Sequence, residues 1–275
     1  MENQQESQGP VYGMPVVKSQ EPAEPARIGP AGRLIGVLVS PGETFADINR
    51  KPTWLAPMII GILVGIAVGA FFNYWARPNY DRIIRRQMQV QADRTGIPMP
   101  AEDVVAQRVD IGKKIGRIGV FVFPIIGIPI VYLIVTGIFS LEMLMVQAGT
   151  SFKKILSIYA WTSCAISLLN SIVIVAVLLV HDRETLSDVN PQDFPNMAPT
   201  NLAAALQPTS SVVKSLAGSI DLFSFWLIIL LSIGFVAICG GKKKISTGKA
   251  AALVIVPWIV WVGIKTGFAS LGFGG

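Results

Sequence analysis

Few residues in this chain could do chemistry, and their spacing decides which chemistry is open to them. Ionisable side chains fall inside long apolar runs at Glu142, Asp221 and Lys265. Two carboxylates that share a water can run acid–base hydrolysis, provided that both sit at one depth. Glu142 lies late in its run and Asp221 opens another two runs later, so in helices of alternating direction they fall near opposite membrane faces. They cannot act as a dyad. Lys265, late in the last run, shares the level of Asp221, and an ion pair there would relieve the cost of holding both charges near lipid. The sequence therefore predicts Asp221 and Lys265 on adjoining helices, against the alternative that each reaches separately for the interface. Ser163, Ser167, Asn170 and Ser171, at spacings of four, three and one, line one helical face. Such a face serves interhelical hydrogen bonding or, in a transporter, a substrate path.

The remaining reactive types are isolated. His181 stands beside Asp182 at the edge of an apolar run and reads as a solvated side chain, while Cys164 and Cys239 fall inside runs as small packing residues. Neither a disulfide framework nor a metal site is expected from them. There is no Walker loop, GxSxG elbow, His-Glu-x-x-His helix or Cys-x-x-Cys pair. No catalytic residue, cofactor or metal is expected, and the chain reads as a non-enzyme.

The elements that carry these residues belong to a membrane. Hydrophobic residues make up 52% of the 275 and charged residues 15%, with a mean hydropathy of +0.55. The net charge of +6 is scattered between apolar runs, which marks headgroup and topology signals rather than a nucleic-acid surface. The expected partner is the lipid bilayer, together with further copies of the chain or other membrane proteins.

Residues 54–75 read as the first span, an uncharged run with Trp54 and Trp75 at its ends. At about 1.5 Å per residue the two indoles stand roughly 30 Å apart, the thickness of the hydrocarbon core. Gly61, Gly65 and Gly69 recur every four residues and leave one stripe of this helix open to a close neighbour. Further spans are predicted at about 118–148, 155–180, 220–239 and 250–271. The second is overlong and holds Pro124 and Pro129; the last holds Pro257, Gly263 and Gly267, a second small-residue stripe.

Between these runs lie a Pro/Gln-rich tail at 1–30, read as disordered, a polar helical insertion at 76–117 and a loop at 181–219. Before the first span, Ser40, Pro41 and Glu43 form a helix-start signature, a capping box. Phe45 and Ile48 share one face of the helix it opens, with Asp47 and Arg50 away from that face. The fold class is all-α: a polytopic membrane protein of five transmembrane helices with an N-terminal interfacial amphipathic helix. Charge counts do not choose an orientation, although the short acid-free basic loops at 149–154 and 240–249 share the side of the N-terminus.

Several short motifs, in order along the chain, resemble the Yip1 family of five-span membrane proteins. They are Ser40-Pro41-Gly42-Glu43-Thr44-Phe45 before the first span and Ser151-Phe152-Lys153-Lys154 with Tyr159 at the third. Asp221-Leu222-Phe223-x-x-Trp226 opens the fourth, and a basic turn at 242–249 precedes the last. The resemblance implies a cytoplasmic N-terminus and a C-terminus on the other side of the cell membrane. Eukaryotic members resemble partners of prenylated Rab GTPases in vesicle traffic and membrane shaping; this sequence is more similar to the prokaryotic branch. The expected role is a non-catalytic scaffold or adaptor, with a small-molecule or ion transporter as the alternative.

Overall fold

Pro30 and Pro41 each open a helix, at positions where a missing N–H costs nothing because the first turn leaves it unbonded. The computed structural model describes residues 28–189, 197–239 and 245–270. The predicted tail up to residue 27, Pro191 and Pro195 of the loop, the Gly-Gly-Lys-Lys-Lys turn at 240–244 and residues 271–275 lie outside the described residues. Helices α1 (Pro30–Val39) and α2 (Pro41–Arg50) fold as a hairpin about Ser40. Ser40 ends the first helix by donating its N–H to the Gly36 carbonyl at 2.8 Å, and it makes no side-chain cap bond to the second. The expected capping box therefore does not close through Ser40; its carbonyl instead accepts the Thr44 hydroxyl at 3.0 Å. Phe45 and Ile48 are buried, and so is Asp47, contrary to its predicted outward position.

Helix α3 (Leu55–Ala76) is the uncharged first run. After Arg77 and Pro78 the chain turns into α4 (Tyr80–Thr95), capped by the Asn79 side chain on Arg82 N–H at 3.1 Å. Gly96, at φ +69°, ends it in the left-handed conformation that glycine adopts without strain. Helix α5 (Glu102–Val122) then passes through a π-helical turn at Phe123–Gly127 into α6 (Ile128–Met145). The turn holds Pro124, and Pro129 follows it at the head of α6. A wider turn is one way a helix continues past residues that cannot bond to the preceding carbonyls.

The 44 residues from Glu102 to Met145 form one polar-to-apolar rod of about 66 Å, more than twice the hydrocarbon thickness. Its polar first third packs against α4, which lies against no other helix to a comparable extent, and the two form an arm. Methionine and valine side chains of the two helices (Met88, Val105, Val109) form a small core of their own in that arm.

Helix α7 (Phe152–Val180) runs parallel to α3, since Trp161 Nε1 meets Thr53 Oγ1 at 3.3 Å near one end and Trp75 Nε1 donates to the Leu178 carbonyl at 2.7 Å near the other. Short helices α8 (Arg183–Ser187), α9 (Leu202–Leu206) and α10 (Ser211–Ser219) follow. The chain then returns through α11 (Leu222–Ile238) and α12 (Thr247–Ser270). Among the described residues, four helical stretches are long and apolar enough to cross a membrane: α3, the α5–α6 rod, α7 and α12; α11 is apolar and has 17 residues.

The main core wraps the first half of α7, where Ile155, Ile158, Ala160, Trp161 and Ala165 are all buried. Aromatic rings from α6 and α11 close over it: Phe139 and Phe235 meet edge to face with centroids 4.9 Å apart, and Tyr132 meets Tyr159 at 5.2 Å.

Candidate functional site

The first glycine stripe is filled from within the chain. A methyl group on Gly65 would lie 3.2 Å from Pro124 Cβ, one on Gly69 would lie 3.1 Å from Val120, and one on Gly61 would face the Tyr132 hydroxyl at 3.7 Å. Residues 61, 65 and 69 thus meet 132, 124 and 120 in turn, so α3 and the α5–α6 rod are antiparallel and in close contact along this stripe. The second stripe is open: a methyl group on Gly263 or Gly267 would meet nothing within 4 Å. Around those two glycines Ile259, Val260, Trp261, Ile264 and Phe268 are all exposed, a broad apolar face without a neighbour among the described residues.

Asp221 is the N-cap of α11, accepting the Ser224 N–H at 2.9 Å on one oxygen and the Ser224 hydroxyl on the other. It also pairs with Asn201 in an isolated antiparallel bridge, in which Leu202 N–H reaches the Ile220 carbonyl and Leu222 N–H the Thr200 carbonyl, both at 3.0 Å. Lys265 lies on the adjoining α12, near enough for the two charges to act on each other, but the pair is not in direct contact. Beside it, Ser215 of α10 and Thr266 approach to 3.4 Å.

On α7, Ser167 is exposed and Asn170 and Ser171 are half-buried. None of the three makes a side-chain hydrogen bond among the described residues. Ser163 lies beside Tyr159 within α7. Glu142 has one carboxylate oxygen buried without a hydrogen-bond partner in the described structure, and His181 Nδ1 sits 2.9 Å from the Val177 carbonyl. Both cysteines are free and buried, with Cys239 Sγ 3.7 Å from Met143 Sδ.

The polar centre with the densest bonding is one that spacing alone did not single out. Arg33 of α1 donates Nε and Nη2 to Asp47 Oδ2 at 2.9 and 2.7 Å, with both side chains 3% exposed. It also reaches the Lys51 carbonyl at 3.1 Å and Thr53 Oγ1 at 2.6 Å, and Trp161 of α7 approaches the same hydroxyl. Arg33 thereby ties α1, α2, the connector into α3 and α7 together. The signal was present as one cation and one anion flanking a helical turn, yet 14 residues apart; only the fold of the hairpin makes them neighbours.

On the opposite rim the bonding is solvated. Arg85 bridges Asp81 and Glu102 at 2.7 Å each, Lys114 meets Asp110 at 2.8 Å, and Arg82 meets Asp188 of the loop. The guanidinium of Arg85 holds the Asp81 and Glu102 carboxyls below the usual range, and the Lys114 ammonium does the same for Asp110.

Comparison with known proteins gives this architecture a family. The Yip1 domain signature matches residues 35–266, from α1 almost to the end of α12. Membrane protein YknW of Bacillus subtilis (strain 168) is 26% identical over 239 residues, covering 86% of this chain and 90% of that protein. No solved structure matches. With the signature spanning well over half of its length, the chain belongs to the Yip1 domain family of membrane proteins.

Proposed function

We propose that this protein is a non-catalytic membrane scaffold of the Yip1 type, with five spans, a cytoplasmic N-terminus and a C-terminus on the other side. It assembles with a second copy or with other membrane proteins along the open face of α12. The observation that carries this is the contrast between the two glycine stripes: the one on α3 is occupied by the chain's own α5–α6 rod, and the one on α12 is empty among the described residues. Between lipid-facing helices association depends on close packing, which small residues permit.

Helix α11 counts as the fifth span in this reading. Its 17 residues reach about 25 Å, at the short end of what crosses a bilayer. Cysteine accessibility at residues 20 and 273 tests the odd number of crossings, since labelling of both from one side would refute it.

Site-directed crosslinking in native membranes tests the scaffold. Gly263→Cys is expected to crosslink to a partner, and Gly263→Leu with Gly267→Leu should lower the assembled fraction while leaving the melting temperature unchanged. Absence of crosslinks at this face would overturn the assembly surface. Selective flux in liposomes, lost on Ser167→Ala or Asn170→Ala, would replace the scaffold by a transporter.

A further inference from the structure

The rim where α3 and α7 end gathers arginines for which the scaffold has no use. Arg77 follows the last turn of α3, Arg183 opens α8 just beyond α7, and Arg117 stands on α5 immediately before its apolar stretch. All are exposed, and none has a carboxylate within ion-pair distance among the described residues.

Contacts bind these residues to one rim. The Arg183 guanidinium lies 4.5 Å over the Trp75 ring, and the Trp75 indole N–H is itself fixed on the Leu178 carbonyl. The Tyr80 ring rests against Gly116, next to Arg117, and the Tyr80 hydroxyl donates to Asn73 Oδ1 at 2.9 Å. Directly beneath, the outer surface turns to hydrocarbon, with Ile118, Phe121, Leu179 and Val180 all more than half exposed. The acids nearby are mostly engaged: Asp81 by Arg85 and Lys113, Asp188 by Arg82, and Asp182 by the first turn of α8 through Thr185. Glu184 is the exception among the described residues of this rim.

We propose that this rim is a binding surface for anionic phospholipids, with Arg77, Arg117 and Arg183 donating to headgroup phosphates. The planar guanidinium presents paired N–H donors that match a phosphate, and its weak hydration suits the membrane boundary. Stacking on Trp75 holds Arg183 in place before a lipid arrives, so little of its freedom is lost on binding. The exposed apolar residues below take the acyl chains. The occupant is a lipid rather than a free ion because the cations stand where the hydrocarbon surface ends, and an anionic lipid because its headgroup keeps a net charge for them to meet.

The full chain in nanodiscs of phosphatidylcholine, with and without phosphatidylglycerol, tests this by native mass spectrometry of the retained lipids. The unaltered protein is expected to retain phosphatidylglycerol in preference. Each of Arg77→Gln, Arg117→Gln and Arg183→Gln should weaken that retention about fivefold, with phosphatidylcholine unaffected. Arg108→Gln, further out along the arm in water, should change nothing. The three positions are exposed, so the single variants keep the core intact and remain readable if the triple variant folds poorly. Equal retention of both lipids by the unaltered protein, or undiminished preference in the single variants, overturns the proposal. So does loss of the preference on adding inorganic phosphate, which would mark a site for the free ion.

Discussion

Helix α3 is bracketed by two helical hairpins, and they use charge in opposite ways. In α1–α2 the Arg33–Asp47 pair is sealed from solvent, with side chains 3% exposed, and Arg33 shares the Thr53 hydroxyl with Trp161 of α7. In α4–α5 the pairs made by Arg85, Lys113 and Lys114 keep 40% or more of each side chain exposed. The first hairpin is held by apolar contact with α7 and α11, as when the Phe45 ring packs beside Gly234, and its ion pair must be intact because water cannot replace either partner. The second is held by a short row of Ile84, Met88, Val105 and Val109, with water available to every charge. Substitutions should therefore be felt strongly in one hairpin and weakly in the other.

The largest effect is expected from removing one member of the sealed pair. Asp47→Ala leaves the Arg33 guanidinium buried without its anion, at a cost of about 3–5 kcal/mol. Thermal unfolding in detergent, read by the fraction of protein remaining monodisperse, should show it. The double change Arg33→Met with Asp47→Leu should be milder than either single change, because no charge is left stranded. If Asp47→Ala proves as mild as an arm substitution, the contrast between the hairpins fails at its root.

That pair also shows where the sequence was legible and where it was not. The helical class and the long runs could be read from hydropathy because lipid imposes length and apolar composition on a single element, and α3 needed no partner to be recognised. Periodicity puts Asp47 on the wrong face because a single helix gives only its own pattern: Phe45 and Ile48 define an apolar face, and an acid beside them looks solvated until α1 brings Arg33 across. Likewise composition splits the rod of α5 and α6 into a polar insertion and a span, since it changes near residue 118 while the backbone continues through the π-turn. The glycine stripes could be read, but which one is filled depends on which helix lies opposite, and that is a property of the fold.

A smaller, paired effect would sharpen the comparison. Gly36→Ala in α1 would place a methyl group against the Thr44 hydroxyl, with Cβ 3.4 Å away, at a stiff β-branched residue locked inside the core. An overpacking cost of about 1–3 kcal/mol should outweigh the gain of about 1 kcal/mol in helix propensity. Gly112→Ala in α5 also makes a close contact, but with the terminal methyl of Ile84, which can swing toward water. There the propensity gain should prevail and the arm should be unchanged or slightly stabilised. Hydrogen exchange of α1 and α5 amides in the two variants separates these outcomes, and equal loss of protection in both would contradict the distinction.

The smallest effect belongs to the arm's own charges, and it carries a definite sign. Asp81, Glu102 and Asp110 are held below their ordinary values of 3.8 and 4.5 by Arg85, Lys113 and Lys114. A carboxylate whose folded value is depressed contributes stability above its unfolded value and loses it as the pH falls through the folded one. Amide protection in α4 and the first half of α5 should therefore be flat at neutral pH and should decline only below the ordinary carboxylate range. Glu102→Gln should shallow that decline without altering protection at neutral pH by much, because solvent screens the pair it removes. An acid decline that is as steep in Glu102→Gln as in the unaltered protein would contradict the role given to this pair.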